Sequence, residues 1–362
     1  MSGTIRISLA GPPLVPTLGL RSRLALAEQV TIGFFVYFTL AAFGFGLAAP
    51  ERWLIVALNT LTVATMLVLS HAQRVRWLAS ARDLFPAVII LVAYRESGLL
   101  LRPDAAHHLD RLFIPWDRVL LQNEFIQAVL RTGAPGLQHY LEFAYLLCYP
   151  LVPLGLAAIY FAPRRSRSGE VTSAPGRRPI DDFWGTVLLA TLFCYAVYPF
   201  FTLTPPRVLF HDVPGPHIEP LLRKWNFWLL DHYSVQACIF PSGHVAAVTA
   251  VALAVRKHAP RLGALFLFLA ASVAVATVYG RYHYAADAVA GALVGGAAYK
   301  IVEVFKLIAD GIHVRAPMLL ISKPEGGVDY MKNDGNSQHR SRDPMAGYPV
   351  KPDTNLRQDR GK

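Results

Sequence analysis

Two short constellations in this chain carry residue types that could do chemistry. The first, Pro241-Ser242-Gly243-His244, opens a long apolar run. Ser at a helix start can cap it, Pro suits the first turn, and Gly allows a ligand close to the backbone. The unpaired N–H groups of a first turn, together with the helix dipole, favour an anion there. The same four residues also read as a capped helix start with an interfacial His. The second constellation is His283 and Asp287. Four residues apart on a helix they share a face, so the carboxylate can hold the imidazole in one tautomer and leave the other nitrogen to act as nucleophile or base. The pair reads equally as a structural link between a helix end and a loop. Arg207 and Arg281 stand beside these clusters, and guanidinium suits phosphate oxygens bidentately. Alone, each is an Arg snorkelling at a membrane interface. His211, His217 and His232, with Asp212, Glu219 and Asp231, have spacings that fit no compact ligand motif. They read as solvated loop residues, and no metal site is predicted.

The elements that must position these groups are apolar helices. Of 362 residues 54% are hydrophobic and only 16% charged, with a mean hydropathy of +0.36. Such a composition points to membrane, because soluble domains carry about one-quarter charged residues. A span needs about 20 apolar residues. Runs at 28–48, 53–70, 84–101, 139–162, 183–203, 239–255, 262–280 and 285–305 qualify, so the predicted fold is all-α, a polytopic bundle of about eight transmembrane helices. The first run starts late and is full length, which fits an uncleaved anchor better than a signal peptide.

The net charge of +11 is a topology signal before anything else. Arg21 and Arg23, "RVRWLASAR" (74–82), "RRSRSGEVTSAPGRR" (164–178) and "RKHAPR" (256–261) fall on one face and are nearly free of acid. The positive-inside rule makes that face cytoplasmic, with both termini on it, in the plasma (inner) membrane. A nucleic-acid partner is not predicted. The three cysteines form no disulfide framework, since Cys148 and Cys194 lie inside spans. The organisation reads as a cytoplasmic N-terminus (1–27), a four-span half (28–162), a cytoplasmic linker (163–182), a second membrane domain (183–307) and a largely disordered cytoplasmic tail (308–362). Within the first half, the outer-face segment 102–138 repeats apolar residues at helical spacing and reads as one or two interfacial amphipathic helices. With this threading, "TLTPPRVLFHD" (202–212), PSGH (241–244) and "YGRYHYAADAVAG" (279–291) all reach the extracytoplasmic end of one bundle.

Those residues resemble the type-2 phosphatidic acid phosphatase superfamily, whose blocks are K-x6-R-P, P-S-G-H and S-R-x5-H-x3-D. Pro241–His244 match the second block fully, His283 and Asp287 match the core of the third, and the likeness covers roughly 183–305. Two departures stand out. The Arg of the third block falls on Thr277 and its Ser on Ala276, and the first block has no Lys at the expected spacing. These departures, with "YAVYPFFTLTPPR", are similar to the subfamily of inositol phosphorylceramide synthases of the aureobasidin-sensitive type. The resemblance implies a membrane enzyme that hydrolyses a lipid phosphate monoester or pyrophosphate through a phosphohistidine. His283 would be the nucleophile, Asp287 its orienter and His244 the acid. Arg207, Arg281, Ser242 and Gly243 would hold the phosphate, without metal or other cofactor. The partner implied is a lipid phosphate or phospholipid of the outer leaflet. The alternatives are a phosphotransferase passing the headgroup to a hydroxyl lipid, and a non-enzymatic transporter or scaffold in which Arg95, Glu96 and Glu142 mark a pathway; these three read equally as pairing with one another or lining a headgroup pocket.

Overall fold

The computed structural model describes residues 24–71, 75–101, 107–124, 128, 135–162, 179–210, 220–235 and 237–315. Arg21, Arg23, His211, Asp212, His217 and Glu219, the linker residues 163–178 and the tail from 316 lie outside these. The described residues form an all-α bundle with one minimal ladder of two-residue strands.

Six helices are long and apolar enough to cross a membrane. They are α1 (Leu26–Gly44), α2 (Ala49–His71), α3 (Arg76–Leu99), α7 (Pro179–Val197), α11 (Pro260–Tyr279) and α12 (Ala285–Arg315). This is an integral membrane protein. The run expected to span at 139–162 is not one straight helix. It is α5 (Pro135–Leu146) and α6 (Leu151–Phe161), which meet at 71°. Pro150 stands at the N-cap of α6, and its missing N–H prevents the α5 ladder from running through. The run expected at 239–255 is α10 (Gly243–His258), 16 residues long, or about 24 Å at 1.5 Å per residue. Between the spans lie α4 (His107–Leu121), the short α8 (Pro206–Leu209) and α9 (Leu221–Tyr233).

The centre of the bundle is α10 with α7. Val245, Ala246, Val248, Ala250, Val251, Ala252 and Val255 on α10 are buried, as are Phe183, Val187, Leu188, Leu192 and Cys194 on α7. A helix apolar on every side belongs inside a bundle rather than at its surface. The small residues let neighbours approach closely, which is how membrane helices associate when lipid is as apolar as Leu. On α12, Gly291 and Gly295 lie one turn apart. A Cβ at Gly291 would fall 2.5 Å from the Ser242 carbonyl oxygen, and one at Gly295 would fall 2.7 Å from that of Ala246. The helix that carries Asp287 therefore lies backbone against backbone on the one that PSGH opens.

The ends of the bundle differ in chemistry. At one end Arg82 bridges Glu28 and Asp181, both at 3.0 Å. Lys306 bonds Asp182, and Lys257 bonds Glu303 at 2.5 Å. These staples tie the starts of α1 and α7 to α3, α10 and α12. At the other end of α7 the chain turns through Tyr198–Phe200 into β1 (Thr202–Leu203), which pairs antiparallel with β2 (Cys238–Ile239), Thr202 against Ile239.

Candidate active site

The residues singled out in the sequence meet at this second end. Phe240 N–H donates to the Phe201 carbonyl at 3.2 Å, continuing the ladder and bringing the TPPR segment beside PSGH. Arg207 N–H donates to the Arg281 carbonyl at 3.2 Å. The Arg281 guanidinium donates in turn to the Phe210 carbonyl. Tyr284 OH donates to the Thr204 carbonyl at 2.9 Å. Ser242 N–H donates to the Asp287 carbonyl at 3.2 Å, and Ser242 Oγ accepts the Val245 N–H at 3.4 Å as a helix cap.

The two histidines face each other. The His244 and His283 rings are T-shaped with centroids 5.8 Å apart, and His283 Nδ1 lies 3.4 Å from Asp287 Oδ2. Asp287 also accepts the Tyr284 N–H at 3.2 Å and is fully buried. The carboxylate is thus fixed before it orients the imidazole. Tyr149 and Tyr145 stand 5.7 and 6.1 Å from His244, at the bend between α5 and α6. The broken span supplies an aromatic wall to the site that a straight helix would not.

The turn carrying His283 is held by backbone geometry. Tyr282 N–H and Arg281 N–H donate to the carbonyls of Thr277 and Val278, the paired bonds of a Schellman ending, and His283 N–H also reaches Thr277 O. The left-handed position of that ending is Arg281, with φ 59, although Gly280 precedes it. An L-residue there costs about 1 kcal/mol, and such strain persists only where surrounding contacts enforce it. Thr277, at the position of the family Arg, turns its hydroxyl back to the Ala274 carbonyl at 2.7 Å. Its contribution to the turn is its own carbonyl.

The remaining sequence candidates are placed as follows. Arg207 is half-buried, and its guanidinium has no ion-pair partner among the described residues. Gly243 N–H donates to Tyr198 OH at 3.2 Å, and a Cβ there would lie 2.4 Å from that oxygen. The close approach that Gly243 permits in this structure is that of a tyrosine. Asp231 and His232 are exposed on α9, which the sequence reading had treated as loop. Arg95 is exposed and Glu96 buried. Glu142 pairs with neither of them.

Several residues that hold the site have no role there assigned from the sequence, although Glu142 stands out in it as an acid inside an apolar run. Glu142 accepts from Arg223 Nη1 at 2.6 Å, Asn226 Nδ2 at 2.9 Å and Tyr282 OH at 2.6 Å. All three donors are buried, so the charge is compensated inside the protein. Tyr282, next to His283, also stacks on Tyr145 at 3.8 Å. On the other flank Asp110 of α4 accepts the Thr204 N–H at 2.9 Å and its hydroxyl at 2.6 Å. Asp117, two turns along, accepts the Ala285 N–H at 3.0 and 3.2 Å and so caps α12. Burial pushes the Asp117 carboxyl up to about 6, opposed by the Ala285 hydrogen bond and reinforced by the Asp287 charge. The signal was faint but present: Asp110 and Asp117 fall on the α4 face that also carries Ile114 and Leu121.

A family model of the PAP2 superfamily matches residues 113–301, a little over half of the chain. The protein belongs to the PAP2 superfamily, the membrane phosphatases of the phosphatidic acid phosphatase type 2 kind. The match begins on α4 and ends on α12, so it takes in α4, α5 and α6 as well as both histidine blocks. Comparison with curated proteins and with solved structures gives no match.

Proposed function

We propose that this protein is a lipid phosphatase that hydrolyses a phosphate monoester or pyrophosphate of a membrane lipid through a phosphohistidine. The observation that carries the reading is His283, with Nδ1 at 3.4 Å from the buried Asp287, facing His244 across 5.8 Å between ring centroids. With Nδ1 engaged, Nε2 carries the lone pair that attacks phosphorus. The bond from phosphorus to the lipid oxygen breaks, and His244 protonates the departing alkoxide. His244, now neutral, takes a proton from water. The hydroxide attacks phosphorus, the P–N bond breaks, and inorganic phosphate leaves. Arg207, Arg281 and Ser242 bind the phosphoryl oxygens, with Gly243 at the same helix mouth. Charge stabilisation of this kind needs no metal ion in the scheme.

The basic short loops support a plasma-membrane protein with both termini in the cytoplasm and the site on the outer side. A second reading is favoured by one feature. Thr277 in place of the family Arg, with the Pro-Pro-Arg segment at 205–207, suits a phosphotransferase similar to inositol phosphorylceramide synthases, in which a lipid hydroxyl replaces water. The test is mass spectrometry of products from the purified protein with a panel of lipid phosphates and phospholipids. Inorganic phosphate with dephosphorylated lipid supports the first reading. A new phosphodiester lipid supports the second. No turnover of any lipid, or unchanged turnover by His283→Ala, overturns both.

A further inference from the structure

Helices α4 and α9 are amphipathic in the reverse sense to helices on water-soluble proteins. Four of their polar side chains point into the protein: Asp110 and Asp117 from α4, Arg223 and Asn226 from α9, all buried. Ile114 and Leu121 of α4 and Leu230 of α9 also pack inward, and on each helix a second set of apolar side chains points out. On α4 these are Leu112, Trp116 and Val119, with Trp116 73% exposed; on α9 they are Leu221, Trp225 and Trp228, with Leu221 69% exposed. Each set repeats at i, i+4 and i+7, one continuous stripe.

We propose that these two stripes are a paired anchor seated in the headgroup–acyl boundary of the protein's own membrane, one on each flank of the histidine pair. Length argues for the boundary rather than a crossing. With 15 and 13 residues, the helices reach about 22 and 20 Å at 1.5 Å per residue, short of the ~30 Å core. Charge argues for lipid rather than a second protein. Both α4 acids are turned inward, so the charges left near its outer stripe are Arg111, which is exposed, and the half-buried Arg118. On α9 the exposed Lys224 adjoins Trp225, and the exposed Asp231 and His232 follow Trp228 at the end of the stripe. Apolar stripes with Trp and basic residues match an interface bearing lipid phosphates.

The inward faces give the anchor a consequence at the site. Asp117 holds Ala285, two residues after His283. Arg223 and Asn226 hold Glu142, which holds Tyr282, the residue before His283. Each helix therefore connects its lipid-facing stripe to the catalytic turn through one or two side chains. Seating both stripes sets the depth of His283 at the headgroups, where the phosphate of a lipid lies while its chains stay in the bilayer. This consequence rests on His283 acting on a lipid phosphate; the seating itself does not.

Two measurements test it. In reconstituted vesicles, the fluorescence of Trp116 and of Trp225 with Trp228 is isolated by subtracting Trp116→Phe and Trp225→Phe/Trp228→Phe from the parent. The anchor predicts stronger quenching by phosphatidylcholine brominated near the headgroup than near the chain end, and little by aqueous iodide. Iodide quenching without lipid quenching overturns it. So does shielding from both quenchers with concentration-dependent cross-linking through these helices, which would make the occupant a second copy. The second measurement is kinetic. Trp116→Glu/Val119→Glu should raise KM for a long-chain lipid phosphate in vesicles by at least about tenfold, the scale of losing a single buried apolar side chain. Turnover of a water-soluble short-chain lipid phosphate should change less than twofold. Equal loss on both substrates, or no change on either, contradicts the coupling of anchor to catalysis. If the parent turns over neither substrate, the catalytic reading fails, and the quenching result alone decides the anchor.

Discussion

Replacing Gly291 by Ala tests whether the contact between α10 and α12 sets the catalytic geometry. The added Cβ would start 2.5 Å from the Ser242 carbonyl oxygen and 3.2 Å from Val245 Cβ. The first of these is backbone, which cannot swing aside as a flexible side chain would. Ordinary contact requires about 3.4 Å, so the helices must separate locally by nearly 1 Å. The Ser242 N–H to Asp287 carbonyl bond, already 3.2 Å, then passes beyond hydrogen-bonding distance. His244 rides on α10 and Asp287, which holds the His283 imidazole, on α12, so the His244–His283 spacing opens with them. Overpacking of this kind costs about 1–3 kcal/mol, offset by about 1 kcal/mol from the better helix propensity of Ala. The change in stability is therefore small. The effect on rate is larger, because a displacement of about 1 Å in a catalytic constellation can cost about 10²-fold. The assay is kcat for a lipid phosphate in mixed micelles, with thermal unfolding followed in the same detergent. Gly296→Ala is the control, since a Cβ there meets nothing within 4 Å; it should keep kcat and match or exceed the parent in Tm. Gly291→Ala at parental kcat would refute the reasoning. Equal loss of activity in both variants would refute it as well.

Other consequences follow from the groups that hold the catalytic turn. Glu142→Gln leaves Arg223 buried without its charge partner and should destabilise the protein by about 3–5 kcal/mol, while Glu142→Gln/Arg223→Met should recover much of that loss in Tm. Asp117 sets a pH dependence of stability. A carboxyl whose pKa is raised on folding binds its proton more tightly in the folded state, so its favourable contribution is full below the ordinary carboxylate range and is lost as pH rises through about 6. The Tm of the parent minus that of Asp117→Asn should therefore fall between pH 4.5 and 7.5; a difference that stays flat or rises with pH would contradict it.

The parts of the site visible in the sequence were those written locally. PSGH occupies four consecutive residues, and His283 stands four residues before Asp287 in the turn that leads into α12, so neighbouring chemistry in the chain is neighbouring chemistry in space. Glu142 also stood out, as an acid inside an apolar run. Its partner did not, because Arg223 is 81 residues away on a helix that looked like loop. The α9 stretch misleads because Arg223 and Asn226 are buried while Lys224, Asp231 and His232 are exposed, so polarity alone does not mark its solvated face. The 71° bend was hidden by the unbroken hydropathy of 139–162, even though Pro150 marks it. The left-handed residue after α11 carries no compositional mark: Gly280 has the conformational freedom, yet Arg281 takes that position. The tie from Ala285 to Asp117 spans 168 residues and no local pattern encodes it.

The central claim is that His283 takes up the phosphoryl group, and trapping that adduct tests it directly. The purified protein is mixed with a lipid phosphate labelled on phosphorus and quenched in alkali, where phosphohistidine survives. The account predicts label on the peptide containing His283 in the parent and none in His283→Ala. Label on another residue, or product release by His283→Ala at the parental rate, would contradict it.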